Sequence, residues 1–245
     1  EGYYHERHES RLTTKKIAVL ASYTSHYLIQ VLRLFFYQKG IAPIFYEGEY
    51  NSIASELLDP KSKVYSFHAE VLLLLTHHKD IHHYPKLFSD KQDIEHWVGQ
   101  QLSYYQNLWV KAHQLKNCQV FQSLFPIPIH RQLGNLEANY LFSNSNSLQL
   151  LNLALIENRP HYLSFLDMDF LASYFGKEKW FDESIYFLSK QGFSLDALGW
   201  VNHYISKVLL SHFGNIKKCL VLDLDNTLWG GIIGDDGLEG INLDP

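Results

Sequence analysis

The sequence predicts an α/β protein: a parallel sheet flanked by helices in three layers, followed by the first strand and hairpin of a second domain. Three observations carry this. Short apolar runs alternate with longer stretches of helical periodicity as far as His212. One run, Glu70-Val71-Leu72-Leu73-Leu74-Leu75-Thr76, is apolar on both faces, which suits a strand covered by helices on each side. A last apolar run, Cys219 to Leu222, ends in Asp223 and Asp225, after a break at Gly214-Asn215.

Taken in order, Glu1 to Thr14 is polar and aperiodic, and reads as a leader or linker. Lys16 to Ala21 is a buried strand closed by Ser22-Tyr23-Thr24-Ser25. Leu28, Val31, Leu32 and Phe35 share one helical face, and Lys39-Gly40 ends that helix. Ile41 to Tyr46 is a second strand, with a short helix from Ile53 to Leu58. Glu70 to Thr76 is the third strand. A histidine-rich loop leads to a long helix, Gln92 to Leu115, and then to a fourth strand, Cys118 to Leu124. Ser143-Asn144-Ser145 offers helix caps ahead of Leu148, Leu151 and Leu155. Tyr162 to Leu166 is a fifth strand, trailed by a short helix to Phe175 and the loop Trp180-Phe181-Asp182. The final helix runs from about Leu195 to Ser211. The boundaries expected are 1–14, 15–213 and 214–245.

Composition narrows the function. Hydrophobic residues make up 46% and charged residues 19%, enough for a large core and against global disorder. A net charge of −5 lacks the basic footprint of a nucleic-acid binder. No apolar run reaches the length of a membrane span, and the N-terminus lacks a signal-peptide core, so a cytoplasmic protein with no membrane partner is expected. Cys118 and Cys219 both lie in apolar runs and are expected as free, buried thiols.

The strongest chemical signal is Asp223-Leu224-Asp225-Asn226-Thr227. In a strand, residues two apart face the same way, so both carboxylates point to one side at a strand's carboxyl end. This Asp-x-Asp-x-Thr pattern resembles the first motif of the haloacid dehalogenase superfamily of phosphatases. The continuation through Trp229-Gly230-Gly231 and Gly234-Asp235-Asp236-Gly237 resembles the FkbH-like branch, subfamily IIIC. Its members are bifunctional phosphatase and glyceryltransferase proteins of polyketide and related pathways.

The resemblance implies roles position by position. Asp223 would be the nucleophile and Asp225 the general acid and base. Mg2+ would be held by the Asp223 carboxylate and the Asp225 backbone carbonyl. Thr227 would orient the motif, and Gly231 would lie in a flap hairpin over Leu228 to Asp236, both on the substrate side. A phosphorylated three-carbon donor, such as 1,3-bisphosphoglycerate, would yield its acyl unit to the phosphopantetheine thiol of an acyl carrier protein. Lys111, Lys116 and Arg131 are candidates for a basic docking patch. The family's later motifs are not assignable in Leu238 to Pro245, and neither Cys118 nor Cys219 matches the cysteine expected to carry the glyceryl group. A piece ending at Pro245 is therefore expected to be inactive alone.

Residues 15 to 211 resemble an SGNH-type (GDSL-like) hydrolase, which implies an SGNH or flavodoxin-like three-layer fold. Ser22 stands where the nucleophile would be, but within Ala-Ser-Tyr-Thr. Gly134-Asn135 follows the fourth strand, and Asn135 could supply an amide donor to substrate. The Asp-x-x-His position reads Asp182-Glu183-Ser184-Ile185, without its histidine. A serine without a base is a poor nucleophile. Two other readings follow: a carrier-protein-docking module with a degenerate SGNH fold, and a serine esterase or acyltransferase working through Ser22.

Two further groups are weighed. His77, His78, His82 and His83 share a loop with Asp80, and His78 and His82 have the spacing of helical metal ligands. A solvated surface loop is the simpler expectation. Asp167 and Asp169 could do acid–base work, but Asp167 as a helix cap is the favoured expectation.

Overall fold

A computed structural model of the chain describes residues 12–214, 219, 221–240 and 242. Compactness divides the chain into two units, Glu1–Ser206 and Lys207–Pro245. The expected leader lies outside the described residues except for Leu12 to Thr14, and Thr13 already opens the first strand.

The first unit is built on five strands: β1 (Thr13–Ala21), β2 (Ile41–Glu47), β3 (Val71–Leu75), β4 (Gln119–Ser123) and β5 (Leu163–Leu166). Every neighbouring pair is parallel, in the order β2-β1-β3-β4-β5. The expected parallel sheet flanked by helices is what the chain forms. Pro43 is tolerated because β2 is an edge strand, where one missing N–H breaks no inner ladder. The five residues of β3 are all buried, as a strand paired on both sides and covered on both faces requires.

Side chains alternate across the sheet. Ala18, Leu20, Leu72, Leu74 and Val120 pack in one cluster with residues of α2 (Ile53–Leu58), α3 (Lys63–Phe67), α4 (Lys91–Ala112) and α5 (Asn144–Glu157). Ile17, Val19, Val71, Leu73 and Leu75 face the opposite side. There α1 (His26–Tyr37) covers the sheet, since its crossover runs toward β2 and those of α4 and α5 run the other way. The buried stripe of α1 is Leu28, Ile29, Leu32 and Phe36, one residue round from the expected Val31 and Phe35. Ser143 caps α5 as expected, accepting from the Asn146 N–H at 3.2 Å.

After β5 come α6 (Met168–Phe175), α7 (Lys177–Trp180), α8 (Glu183–Ser189) and α9 (Leu198–His212). The stretch around Trp180, expected as loop, holds the short helices α7 and α8; α3 was also unsignalled. None of the three reaches two full turns, too short for a periodic pattern to declare itself.

The second unit contains α10 (Ile233–Gly240), broken at the non-helical Gly237, and two isolated bridges, Asp225 to Trp229 and Gly230 to Asn242. The expected strand from Lys218 lies partly outside the described residues. Val221 to Leu224 is exposed, with no ladder partner among the described residues, and a strand exists only where a neighbour pairs with it. Cys219, expected in a core, is exposed for the same reason. Where a flap hairpin was expected, a turn over Asn226 to Leu228 leads into α10.

Candidate functional site

The order β2-β1-β3-β4-β5 reverses direction between β1 and β3, and open α/β sheets bind ligands at the carboxyl ends of the strands that flank such a reversal. Ala21 ends β1 opposite Leu75, which ends β3. Ser22 and Thr76 therefore emerge side by side. A cavity of about 420 Å³ opens there, lined by Ser22, Asn51, Thr76, Asp80, Gln101 and Tyr104 among others. Its floor is the strand ends; its wall is α4.

Ser22 is buried, and its hydroxyl is within reach of two acceptors, the Leu75 carbonyl and the Asp80 carboxyl. Its N–H and its Oγ donate to the Leu75 carbonyl at 2.9 and 3.2 Å. Asp80 stands beside it. Burial pushes the Asp80 carboxyl up to about 6, against the opposing pull of hydrogen bonds from Ser22 and the His77 N–H and of the nearby His82 charge. The His77 N–H donates to Asp80 Oδ2 at 2.9 Å, and Asp80 closes a reciprocal cap on the turn His78–Asp80. Thr76 is pinned to the end of β4: its N–H donates to Ser123 Oγ at 2.8 Å and its hydroxyl to Ser123 O at 3.0 Å.

This arrangement binds better than it cleaves. Among the described residues Ser22 Oγ has no hydrogen bond to a histidine, so the histidine base of a serine hydrolase is not in place. Its N–H is already given to Leu75 and cannot stabilise an oxyanion. Asp182, at the place of the missing Asp-x-x-His, caps α8 by accepting from the Ile185 N–H at 3.0 Å. Asn135, the expected amide donor, is exposed in the turn Gly134–Asn139 and is not among the residues lining the cavity. Asn51 is. It holds a left-handed conformation at φ 57°, which asparagine tolerates, and its N–H donates to Ala21 O at 3.1 Å.

The histidines divide. His77 is buried and stacked on Tyr186, with ring centroids 5.1 Å apart, and burial holds its pKa well below the usual value. Burial likewise takes His78 down to about 4, so both rings are neutral near pH 7. His82 and His83 line the cavity. The helical metal spacing fails because the loop makes only a three-residue turn, His78–Asp80. No three His, Cys, Asp or Glu side chains among the described residues could hold a metal ion together. Asp167 caps α6 through the Phe170 N–H at 2.9 Å. Asp169 accepts from the Ile127 N–H at 2.7 Å and pairs with Lys177 at 2.6 Å. Both acids are therefore structural.

In the second unit, Asp223 is exposed, and its carboxylate has no partner among the described residues. Asp225 is half-buried; its Oδ1 accepts from Trp229 Nε1 and from the Ile233 N–H, each at 3.1 Å. Asn226 takes a left-handed conformation, and its Oδ1 accepts from the Gly231 N–H at 3.0 Å. Gly231 itself has φ 100°, which favours glycine. The Thr227 N–H donates to Leu224 O at 3.3 Å. Local hydrogen bonds thus tie Asp225, Asn226, Thr227 and Gly231 into the turn region, with Asp223 two residues ahead of Asp225.

Residues 16–210 match the family described as FkbH, N-terminal domain. The chain belongs to the FkbH family. The N-terminal part of the protein BF1531 from Bacteroides fragilis, described as containing a phosphatase domain complexed with Mg, shares the fold of this FkbH chain with a TM-score of 0.75. The two are 24% identical over 94% of this chain and 60% of that one, so the FkbH chain spans less than two thirds of the BF1531 structure. An acetyl xylan esterase, AlAXEase, aligns with a TM-score of 0.46 at 15% identity, over 79% of this chain and 99% of that one. No curated protein matches the sequence.

Proposed function

We propose that the chain is part of a bifunctional phosphatase and glyceryltransferase that charges an acyl carrier protein with a three-carbon acyl unit. One observation carries the reading: an FkbH N-terminal domain over residues 16–210 is followed directly by the acid pair of Asp223-Leu224-Asp225-Asn226-Thr227. An exposed carboxylate beside a carboxylate fixed by two N–H donors suits nucleophile and proton-transfer partner respectively.

The reaction begins with attack by an Asp223 oxygen on the ester phosphorus of a three-carbon donor that also carries an acyl phosphate. The bond from phosphorus to the leaving oxygen breaks as Asp225 passes it a proton. Asp225 then takes a proton from water, which attacks the aspartyl-phosphate and releases phosphate. Separately, the carrier thiol gives up its proton to solvent and attacks the acyl carbon, forming the thioester as the acyl phosphate's phosphate leaves. The donors of this turn are carboxylate and carbonyl oxygens, the hard ligands that suit Mg2+. The Asp223 carboxylate and Asp225 carbonyl would hold the ion, which offsets the negative charge of the phosphoryl group. Thr227 and Gly231 keep the turn in register. In the first unit, the cavity at Ser22, Asn51 and Asp80 serves binding.

Lys111, Lys116 and Arg131 would supply the basic docking surface for an acidic carrier protein.

The test uses the full-length protein with 1,3-bisphosphoglycerate, Mg2+ and a phosphopantetheinylated carrier protein. Phosphate release coupled to a glyceryl mass gain on the carrier is the expected result. Carrier docking seen by NMR without any phosphate release would overturn the catalytic reading and leave a docking module.

A further inference from the structure

A second cavity, of about 200 Å³, opens on the same edge of the sheet and shares no lining residue with the first. Its walls come from the loops after β3 and β4, the start of α5 and the approach to α8. Glu137 and His78 are set into it.

Glu137 is 1% exposed. The turn Gly134–Asn139 holds it, and Asn146 secures that turn by donating from Nδ2 to the Glu137 and Tyr140 carbonyls. One carboxylate oxygen, Oε1, accepts from the Leu133 N–H at 3.3 Å. The other, Oε2, is buried and has no partner among the described residues. The same holds for His78 Nδ1. A buried carboxylate oxygen left without a donor costs stability, so such a group marks a place where a donor arrives.

The charge around it is one-sided. Glu137 and Glu183 line the cavity with His78 and His130, and no lysine or arginine does. Glu183 is already paired with Lys79 at 2.7 Å. His78 is held neutral by burial and by the Lys79 charge, so its ring adds no cation. A metal ion is a poor fit, since no three ligating side chains converge among the described residues. A small organic cation with N–H donors answers both orphaned acceptors.

We propose that this cavity is a binding site for a primary ammonium group on a short carbon chain, with Glu137 Oε2 as its counter-charge and His78 as a second acceptor. The site is independent of the phosphatase motif and of the cavity at Ser22.

The experiment is calorimetric titration of the protein with ethanolamine hydrochloride. n-Propanol and tetramethylammonium chloride serve as controls, the first lacking charge and the second lacking N–H donors. Saturable binding of ethanolamine alone is expected. Glu137→Gln keeps the size and removes the charge; it should weaken binding about tenfold or more, the loss of one charge-assisted hydrogen bond. No saturable ethanolamine binding, or equal binding of either control, overturns the proposal. So does unchanged affinity in a folded Glu137→Gln protein. The controls on the unmodified protein decide the matter even where that variant does not fold.

Discussion

Asp80 shows how one buried carboxyl sets both a site and a pH dependence. Its pKa is raised from 3.8 to about 6 in the fold, chiefly by burial. The charged form is therefore disfavoured in the native state. Its contribution to stability is complete below about pH 4 and is lost as pH rises through about 6. Asp80→Asn removes the charge while keeping an acceptor for the Ser22 and His77 donors. Urea denaturation should show that variant more stable than the parent by about 2 kcal/mol near pH 8, with the difference vanishing toward pH 4. A difference independent of pH would contradict the burial of a titrating Asp80. Ser22 was legible as the residue after the first strand. Asp80 was visible only as one acid within a histidine-rich loop, because burial is a property of the fold and not of the local sequence. The same holds for Asn51, which lies far from Ser22 in sequence and reaches the cavity from the loop between β2 and α2. Asn135 stands outside the residues lining this cavity, and a Gly-Asn pair signals a turn without saying which way it opens.

At the scale of elements, the long pieces were readable and the short ones were not. The five strands follow from apolar runs, and α4 from its length. α7 and α8 are short, yet they hold the back of the Ser22 site in place. Lys79, in the loop after β3, pairs with Glu183 and lies 4.1 Å from the Tyr186 ring and 4.6 Å from the Phe187 ring. Gly192, just beyond α8, lies against Tyr23: an added Cβ would come within 2.7 Å of that ring. Tyr23 is buried between His77 and Phe193 and is the neighbour of Ser22. Gly192→Ala should therefore cost about 1–3 kcal/mol in thermal or chemical denaturation, because the ring has nowhere to retreat. It should also shift the NMR signals of Ser22 and Thr76. Parent-like stability and spectra would show that the helix end is free to move. Nothing in Lys190-Gln191-Gly192 announces this contact, since it depends on an approach across the fold.

At the scale of the whole molecule, an FkbH N-terminal domain is followed in sequence by the acid pair Asp223 and Asp225, and the two were legible to different degrees. Strand and helix alternation carried the fold class of the first, and residues 16–210 bear it out. The second rested on the pattern Asp-x-Asp-x-Thr and its glycines. Its local geometry, with Asp225 anchored by Trp229 and Ile233 and Asp223 open to solvent, gives each acid a distinct environment that spacing alone could not assign. No helix among the described residues is long and apolar enough to cross a membrane. The central claim is that Asp223 is the phosphoryl-accepting nucleophile of the full-length protein. The most direct measurement is Mg2+-dependent phosphate release from a three-carbon phosphate ester by that protein and by its Asp223→Asn variant. Loss of release in the folded variant, by about 1,000-fold or more, is the predicted result for removal of a nucleophile. Turnover equal to the parent's would contradict the account.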